Sequence, residues 1–454
     1  MIQSINPSDS TFIQSYIELD KEAINIKIEQ TGAAFKQWKT FAASRRSEYL
    51  TAIGDVLISR KQELAILAAR EMGKPVKAGI AEVEKCAAVC KYYAENGQKF
   101  LQDEIIATEA TKSFISYQPL GVVLAVMPWN FPYWQVFRFL APTLLAGNCA
   151  LLKHASNVPG CALAIEDVLK EAGLPEFVFQ TLLIKGEQVE QAIEHPAVKA
   201  VSLTGSTDAG IKVAQKAASL LKKCVLELGG SDPYIILKDA DLGLAAQTCA
   251  ESRLINSGQS CIAAKRFIVE KEIEEKFIEL FKIKMAAKTS GNPLNRDTQM
   301  GPLARKDLRA EVHSQVLRSI EAGAVCILGG EIPKGEGAFY PATILTNVKK
   351  GMSAFDEEIF GPVAAVIRAE NEEHAVELAN DTSFGLGAAI FTADLSKGEA
   401  IATRQLNAGS CFVNAYVKSD PRLPFGGINQ SGYGRELGIF GIREFVNIKT
   451  VYIK

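Results

Sequence analysis

With 454 residues the chain exceeds the ~250–300 residues at which a single core stops growing, so two or three domains are expected. Apolar residues make up 48% and charged residues 22%, a composition that excludes disorder. Fifty Lys and Arg against 52 Asp and Glu leave a net charge of −2 with no long block of either sign, which excludes a general nucleic-acid binder.

The first hundred residues read as helical, with apolar residues at helical spacing in IKIEQTGAAFKQWKTF and from Arg45 to Glu71. SFISYQPLGVVLAVMPWN follows as two β-rich stretches hinged at Pro119–Gly121. From there strand and helix alternate. CALLK (149–153) precedes VPGCALAIEDVLKEAG, FVFQTLLI (177–184) precedes EQVEQAIE, and AVSLTG (200–205) precedes DAGIKVAQKAASLL. Short apolar strands between amphipathic helices predict βαβ units and a parallel sheet, which binds ligands at the carboxyl ends of its strands. Near Glu227 the rhythm resets, and a second series runs to about residue 418 through KRFIVE, a helix around 271–287, AVCILGG and GAAIFTA. The final FVNIKTVYIK alternates like an exposed edge strand, which can pair with another chain.

Several roles are disfavoured. The four histidines are scattered, so no metal site is expected. Nine cysteines without a Cys-x-x-Cys read as reduced thiols in a cytoplasmic protein. MIQSINPSDS has no export pattern, and the longest apolar stretch, Phe139 to Leu152, is broken by Pro142, Gly147 and Asn148, so no membrane association is expected.

Three residues stand out chemically. Cys261, in the polar loop NSGQSC, is a candidate nucleophile, although a free cysteine is more often a packed small hydrophobe. Glu227 ends CVLEL before two glycines, where a general base can be held in partly apolar surroundings; the plainer reading is a strand-end charge. Asn130 in PWNFP could donate to an oxyanion or serve only as a turn residue.

Together with their flanking motifs these residues resemble the aldehyde dehydrogenase superfamily along nearly the whole chain. PWNFP (128–132), LLKHAS (151–156), TGST (204–207), ELGG (227–230), GQSC (258–261), EIFGP (358–362) and PFGG…SGYGRE (424–436) occur in the family's order. The resemblance implies an α/β fold of two open parallel-sheet domains plus a small β oligomerisation arm. Residues 1–109 and 121–227 would bind cofactor, with 425–438 returning to them; 228–424 would carry the nucleophile, and 110–120 with 439–454 would form the arm of a homodimer or homotetramer. It also implies a mechanism. Cys261 attacks the aldehyde, Asn130 and the Cys261 N–H hold the oxyanion, hydride leaves for the nicotinamide, and Glu227 activates the water that hydrolyses the thioester.

For the cofactor, the resemblance points to Trp129, Lys153, Ser156, Gly205, Ser206, Glu358 and Phe360. GSTDAG (205–210) would meet the diphosphate near a helix start, and Glu358 would hold the nicotinamide ribose with Phe360 nearby. Many NAD-preferring relatives carry Glu where Ser156 stands. Serine removes its repulsion of a 2′-phosphate and Lys153 adds a cation, so NADP is expected to be preferred, with NAD usable.

For the substrate, Trp134 and Arg138 are four residues apart and share a helix face. Arg138, set among Phe137, Phe139 and Leu140, is either a guanidinium awaiting a substrate carboxylate or one half of an ion pair to a neighbouring domain. KSDPRLPFGG (418–427) offers Ser419 as a hydroxyl donor and Arg422 as a second cation. The combination looks most like the short bacterial succinate-semialdehyde dehydrogenases. Alternatives are a broad short-chain aldehyde dehydrogenase, a CoA-acylating enzyme, which does not need Glu227, and a silent structural member.

Overall fold

The computed structural model describes all 454 residues and contains two large sheets. The first has the strand order Gly432–Tyr433, Lys223–Glu227, Val198–Thr204, Val122–Met127, Cys149–His154, Phe179–Thr181. All its pairs are parallel except the first, which the returning C-terminal segment makes antiparallel by setting Gly432 opposite Glu227. Its four central strands end in register, with Thr204 beside Glu227, Leu203 beside Val126, and Met127 beside His154. The turns that follow therefore lie side by side along one edge. Those turns hold Trp129 and Asn130, Ser156, and Gly205 with Ser206, and Glu227 closes the row.

The second sheet runs Val325–Leu328, Thr343–Thr346, Val363–Ala369, Arg266–Glu270, Pro233–Ile236, Gly387–Phe391, Ser410–Val413, parallel apart from its first pair. Period-2 alternation gives it two buried faces: Tyr234, Ile236, Phe267 and Val269 pack on one side, Ile235 and Ile268 on the other. Cys261 and Glu358 precede the adjacent strands Arg266–Glu270 and Val363–Ala369, so they sit at the amino edge of this sheet.

A third sheet pairs Val446–Ile453 with Lys112–Pro119 over eight residues and adds Glu104–Ile105. Two readings change in detail. The N-terminal stretch opens with a hairpin, Ile2–Ile5 on Phe12–Tyr16, before its helices. Only Phe179–Thr181 of the expected strand 177–184 joins the sheet; Phe177 lies at φ 63°, outside strand geometry. No helix is long and apolar enough to cross a membrane.

Candidate active site

The loop before Cys261 is wound in an unusual hand. Asn256, Ser257 and Gly258 have φ of 52°, 56° and 77°, a left-handed turn that asparagine and glycine tolerate and serine does not favour. Side chains hold it. Asn256 Nδ2 donates to Asn130 O at 2.7 Å and Gln259 O at 3.2 Å, Ser257 Oγ donates to Gly301 O at 3.0 Å, and Arg253 Nη2 donates to Gly258 O at 2.6 Å. Lys265 Nζ then donates to the carbonyls of Ser260, Cys261 and Ala263. A Cβ at Gly258 would lie 2.2 Å from Gly361 O, so only glycine fits. None of these supporting residues is evident from the sequence, beyond the turn character of Asn-Ser-Gly.

Cys261 separates two cavities. One, of about 240 Å³, is bounded by Trp129, Gly205, Ser206, Glu358 and Phe360. The other, of about 400 Å³, is bounded by Trp134, Arg138, Ser419 and Lys85. Burial pushes the Cys261 thiol up to about 12 even though the cations of Arg138 and Lys265 oppose the shift. The resting group is therefore a thiol. Asn130 is buried, and its Nδ2 donates to Gln259 O at 3.1 Å, which fixes the amide beside the cysteine loop and leaves its second N–H. The Glu227 carboxylate is buried and accepts no hydrogen bond; it faces Gly426, where a Cβ would stand 2.8 Å from Oε1. Burial raises its pKa well above the carboxylate range, Arg138 opposes this, and Glu436 adds to it. A carboxylate so desolvated is a stronger base once ionised.

The first cavity suits a dinucleotide. Ser206 caps the helix Thr207–Ser219, with Gly205 leading into its N-terminus, where free N–H groups favour phosphate. Trp129 and Phe360 meet edge to face at 5.8 Å as aromatic walls. Glu358 accepts from Gly230 N at 3.1 Å and lies 3.4 Å from Lys265 Nζ. Its Oε2 is 2.3 Å from where a Gly229 Cβ would be, which accounts for the second residue after Glu227 being glycine. On the neighbouring strand Lys153 is buried without a hydrogen-bond or salt-bridge partner, and Ser156 is exposed in the turn that follows. A buried cation with nothing to neutralise it fits a ligand phosphate. His154 beside it is structural: burial lowers it to about 4, and its ring tethers the strand end to Pro132 O at 2.8 Å.

On the substrate side, Trp134, Arg138 and Ser419 all reach the second cavity, but Arg138 is not a free guanidinium. Its Nε is ion-paired with buried Glu436, Nη2 donates to Thr204 Oγ1 at 3.3 Å, and the group lies 4.7 Å from the Phe425 ring centroid. Arg138 is thus half of an ion pair, as a buried guanidinium needs a countercharge, but its partner lies in the C-terminal segment that returns to the same sheet and not in a neighbouring domain. Arg422 is also corrected: it is exposed and paired with Asp420 at 2.6 Å, outside the cavity. The cation the sequence reading missed is Lys85, on the helix Val76–Phe100.

Fold and site together define an NAD(P)-type aldehyde-oxidising architecture, and similarity to known proteins agrees. The model of the aldehyde dehydrogenase family matches residues 1–451, and the chain belongs to that family. Over 452 residues it is 47% identical to a probable succinate-semialdehyde dehydrogenase [NADP(+)] of Synechocystis, covering 100% of this chain and 99% of the relative. It is 46% identical to the Escherichia coli succinate semialdehyde dehydrogenase [NAD(P)+] Sad, covering 99% and 97%. The crystal structure of a succinic semialdehyde dehydrogenase from Streptococcus pyogenes in complex with NADP+ superposes with a TM-score of 0.97 at 35% identity, covering both chains fully.

Proposed function

We propose that this protein oxidises succinate semialdehyde, or a similar short ω-carboxy aldehyde, to the acid with reduction of NADP+, and accepts NAD+ less well. The observation that carries this is the position of Cys261 between a cavity ending at a helix N-terminus and one lined by cations. Its full-length relatives bear the same activity in their names.

Trp129, Gly205, Ser206, Glu358 and Phe360 would hold the cofactor, with Lys153 and Ser156 toward a 2′-phosphate. Bound there, the nicotinamide supplies the two-electron acceptor. The chain does the rest. Cys261, deprotonated, adds to the carbonyl carbon; Asn130 Nδ2 and the Cys261 N–H donate to the oxygen that becomes negative. Arg138 and Lys265 both favour the thiolate. Once the adduct is oxidised to a thioester, Glu227 takes a proton from water as it attacks, and the thiol leaves with the acid released. Glu227 thus favours water over CoA as the acyl acceptor.

The six-stranded sheet would serve the cofactor-binding domain and the seven-stranded sheet the catalytic one. The exposed edge strand Val446–Ile453, with Ile448 and Tyr452 outward, would join copies into a homodimer or homotetramer. Nine unpaired cysteines suit the reducing cytoplasm. The test is kcat/KM for succinate semialdehyde, glutarate semialdehyde and an uncharged aldehyde with each cofactor. Highest values with succinate semialdehyde and NADP+ are expected; equal values for the uncharged aldehyde refute the substrate.

A further inference from the structure

The cavity on the substrate side of Cys261 is lined by four cations, and three are accounted for. Lys74 is buried against Glu82, Arg138 is paired with Glu436, and Lys418 is exposed at the rim. Lys85 differs. It is half-buried and forms no salt bridge, although Glu84 beside it pairs with Lys61 at 2.6 Å. Its Nζ lies 4.1 Å from the Trp134 ring centroid and donates to Ser419 Oγ at 2.7 Å. Of the three N–H donors of an ammonium, only that one has a partner in the protein. The ring face and the hydroxyl hold the side chain in a fixed place.

We infer that Lys85 is a specificity-determining cation of this enzyme, receiving the ω-carboxylate of the aldehyde at a subsite built with Ser419 and Trp134. The inference rests on the ω-carboxy aldehyde reading above. Arg138 lines the same cavity and, although paired with Glu436 through Nε, adds to its positive field. A desolvated ammonium without a countercharge is costly, and a carboxylate arriving on the substrate removes that cost only for substrates that carry one. An uncharged aldehyde of equal length leaves Lys85 as it was. Discrimination therefore comes from the unpaired state of the free enzyme.

The surroundings make the subsite sensitive to alkaline pH. Burial first, and then the charge of Arg138 in the same cavity, lower Lys85 to about 8, against smaller opposing effects of Cys86 and Glu82 on its own helix and of Asp420 in the loop that bears Ser419. Lys74 and Lys418 are the other charged groups lining the cavity. The ammonium is present below that pH and lost above it.

The experiment compares kcat/KM for succinate semialdehyde and for butanal, with NADP+, in the wild type, Lys85→Met and Lys85→Arg. The wild type should favour succinate semialdehyde. Lys85→Met should cut the ratio by about 30-fold or more through KM for the charged substrate, and leave butanal turnover within about 3-fold. Lys85→Arg should keep most of the preference. In the wild type the ratio should fall as pH rises through about 8, a readout that needs no variant and cancels groups common to both reactions. A wild type with no preference refutes the substrate reading and the subsite with it. A preference that survives Lys85→Met, or a ratio flat through this pH range, overturns the Lys85 assignment alone.

Discussion

Arg138 and Glu436 form a buried ion pair that fastens the first turns of the helix Trp134–Leu145 to the C-terminal segment returning beside Glu227. The same guanidinium pulls down the Cys261 thiol and the Glu227 carboxyl, so one cation serves packing and tunes both groups.

Removing it should therefore be felt by every substrate. Arg138→Met strands the Glu436 carboxylate in the interior, which should cost about 3–5 kcal/mol in urea unfolding. It should lower kcat for butanal as well as for succinate semialdehyde. Adding Glu436→Leu should restore most of the stability but not the activity. A loss confined to KM for the charged aldehyde would contradict this division of labour.

Cofactor choice is tested at the turn after Cys149–His154. Ser156→Glu sets a carboxylate where a 2′-phosphate would lie, and should lower the NADP+/NAD+ ratio of kcat/KM on the order of 100-fold. Lys153→Met removes a buried cation that has no partner, so Tm should hold or rise while KM for NADP+ increases. An unchanged ratio in Ser156→Glu would refute the assignment.

Cys261 should titrate late. Since burial raises the Cys261 thiol to about 12, its thiolate fraction grows with pH well beyond the range of an ordinary cysteine. Alkylation of the Cys261 peptide by iodoacetamide, followed by mass spectrometry, should still be accelerating at about pH 9. A plateau near neutral pH would show a thiolate already formed in the free enzyme.

The left-handed turn Asn256–Gly258 should tolerate no side chain at its last position. Gly258→Ala combines a φ of 77° with a Cβ 2.2 Å from Gly361 O, and should cost on the order of 3 kcal/mol with a loss of turnover. Wild-type kcat and Tm in that variant would mean the turn is not needed to present Cys261.

What could be read in the sequence was whatever lies next to a strand end. PWNFP, TGST and ELGG each follow a regular apolar strand, so the βαβ pattern alone places Asn130, Ser206 and Glu227 along one edge. Cys261 was legible as a thiol in a polar loop. Partners distant in the chain were not. Glu436 lies 298 residues from Arg138, and only the antiparallel return of Gly432–Tyr433 brings them together. Lys85 sits in a helix whose EVEKC segment has the pattern of a solvated face, and no local feature marks it as facing a cavity. The N-terminal hairpin was missed because its strands, of four and five residues, are too short to show a period.

If Cys261 is acylated and Glu227 releases the acyl group, removing the Glu227 carboxylate should trap the acyl enzyme. Glu227→Gln, mixed with NADP+ and succinate semialdehyde in stopped flow and then analysed by intact mass, reads both steps. About one equivalent of NADPH per active site, a stall, and a single succinyl group mapped to Cys261 are expected. Steady turnover at the wild-type rate with no acylated Cys261 would contradict both roles.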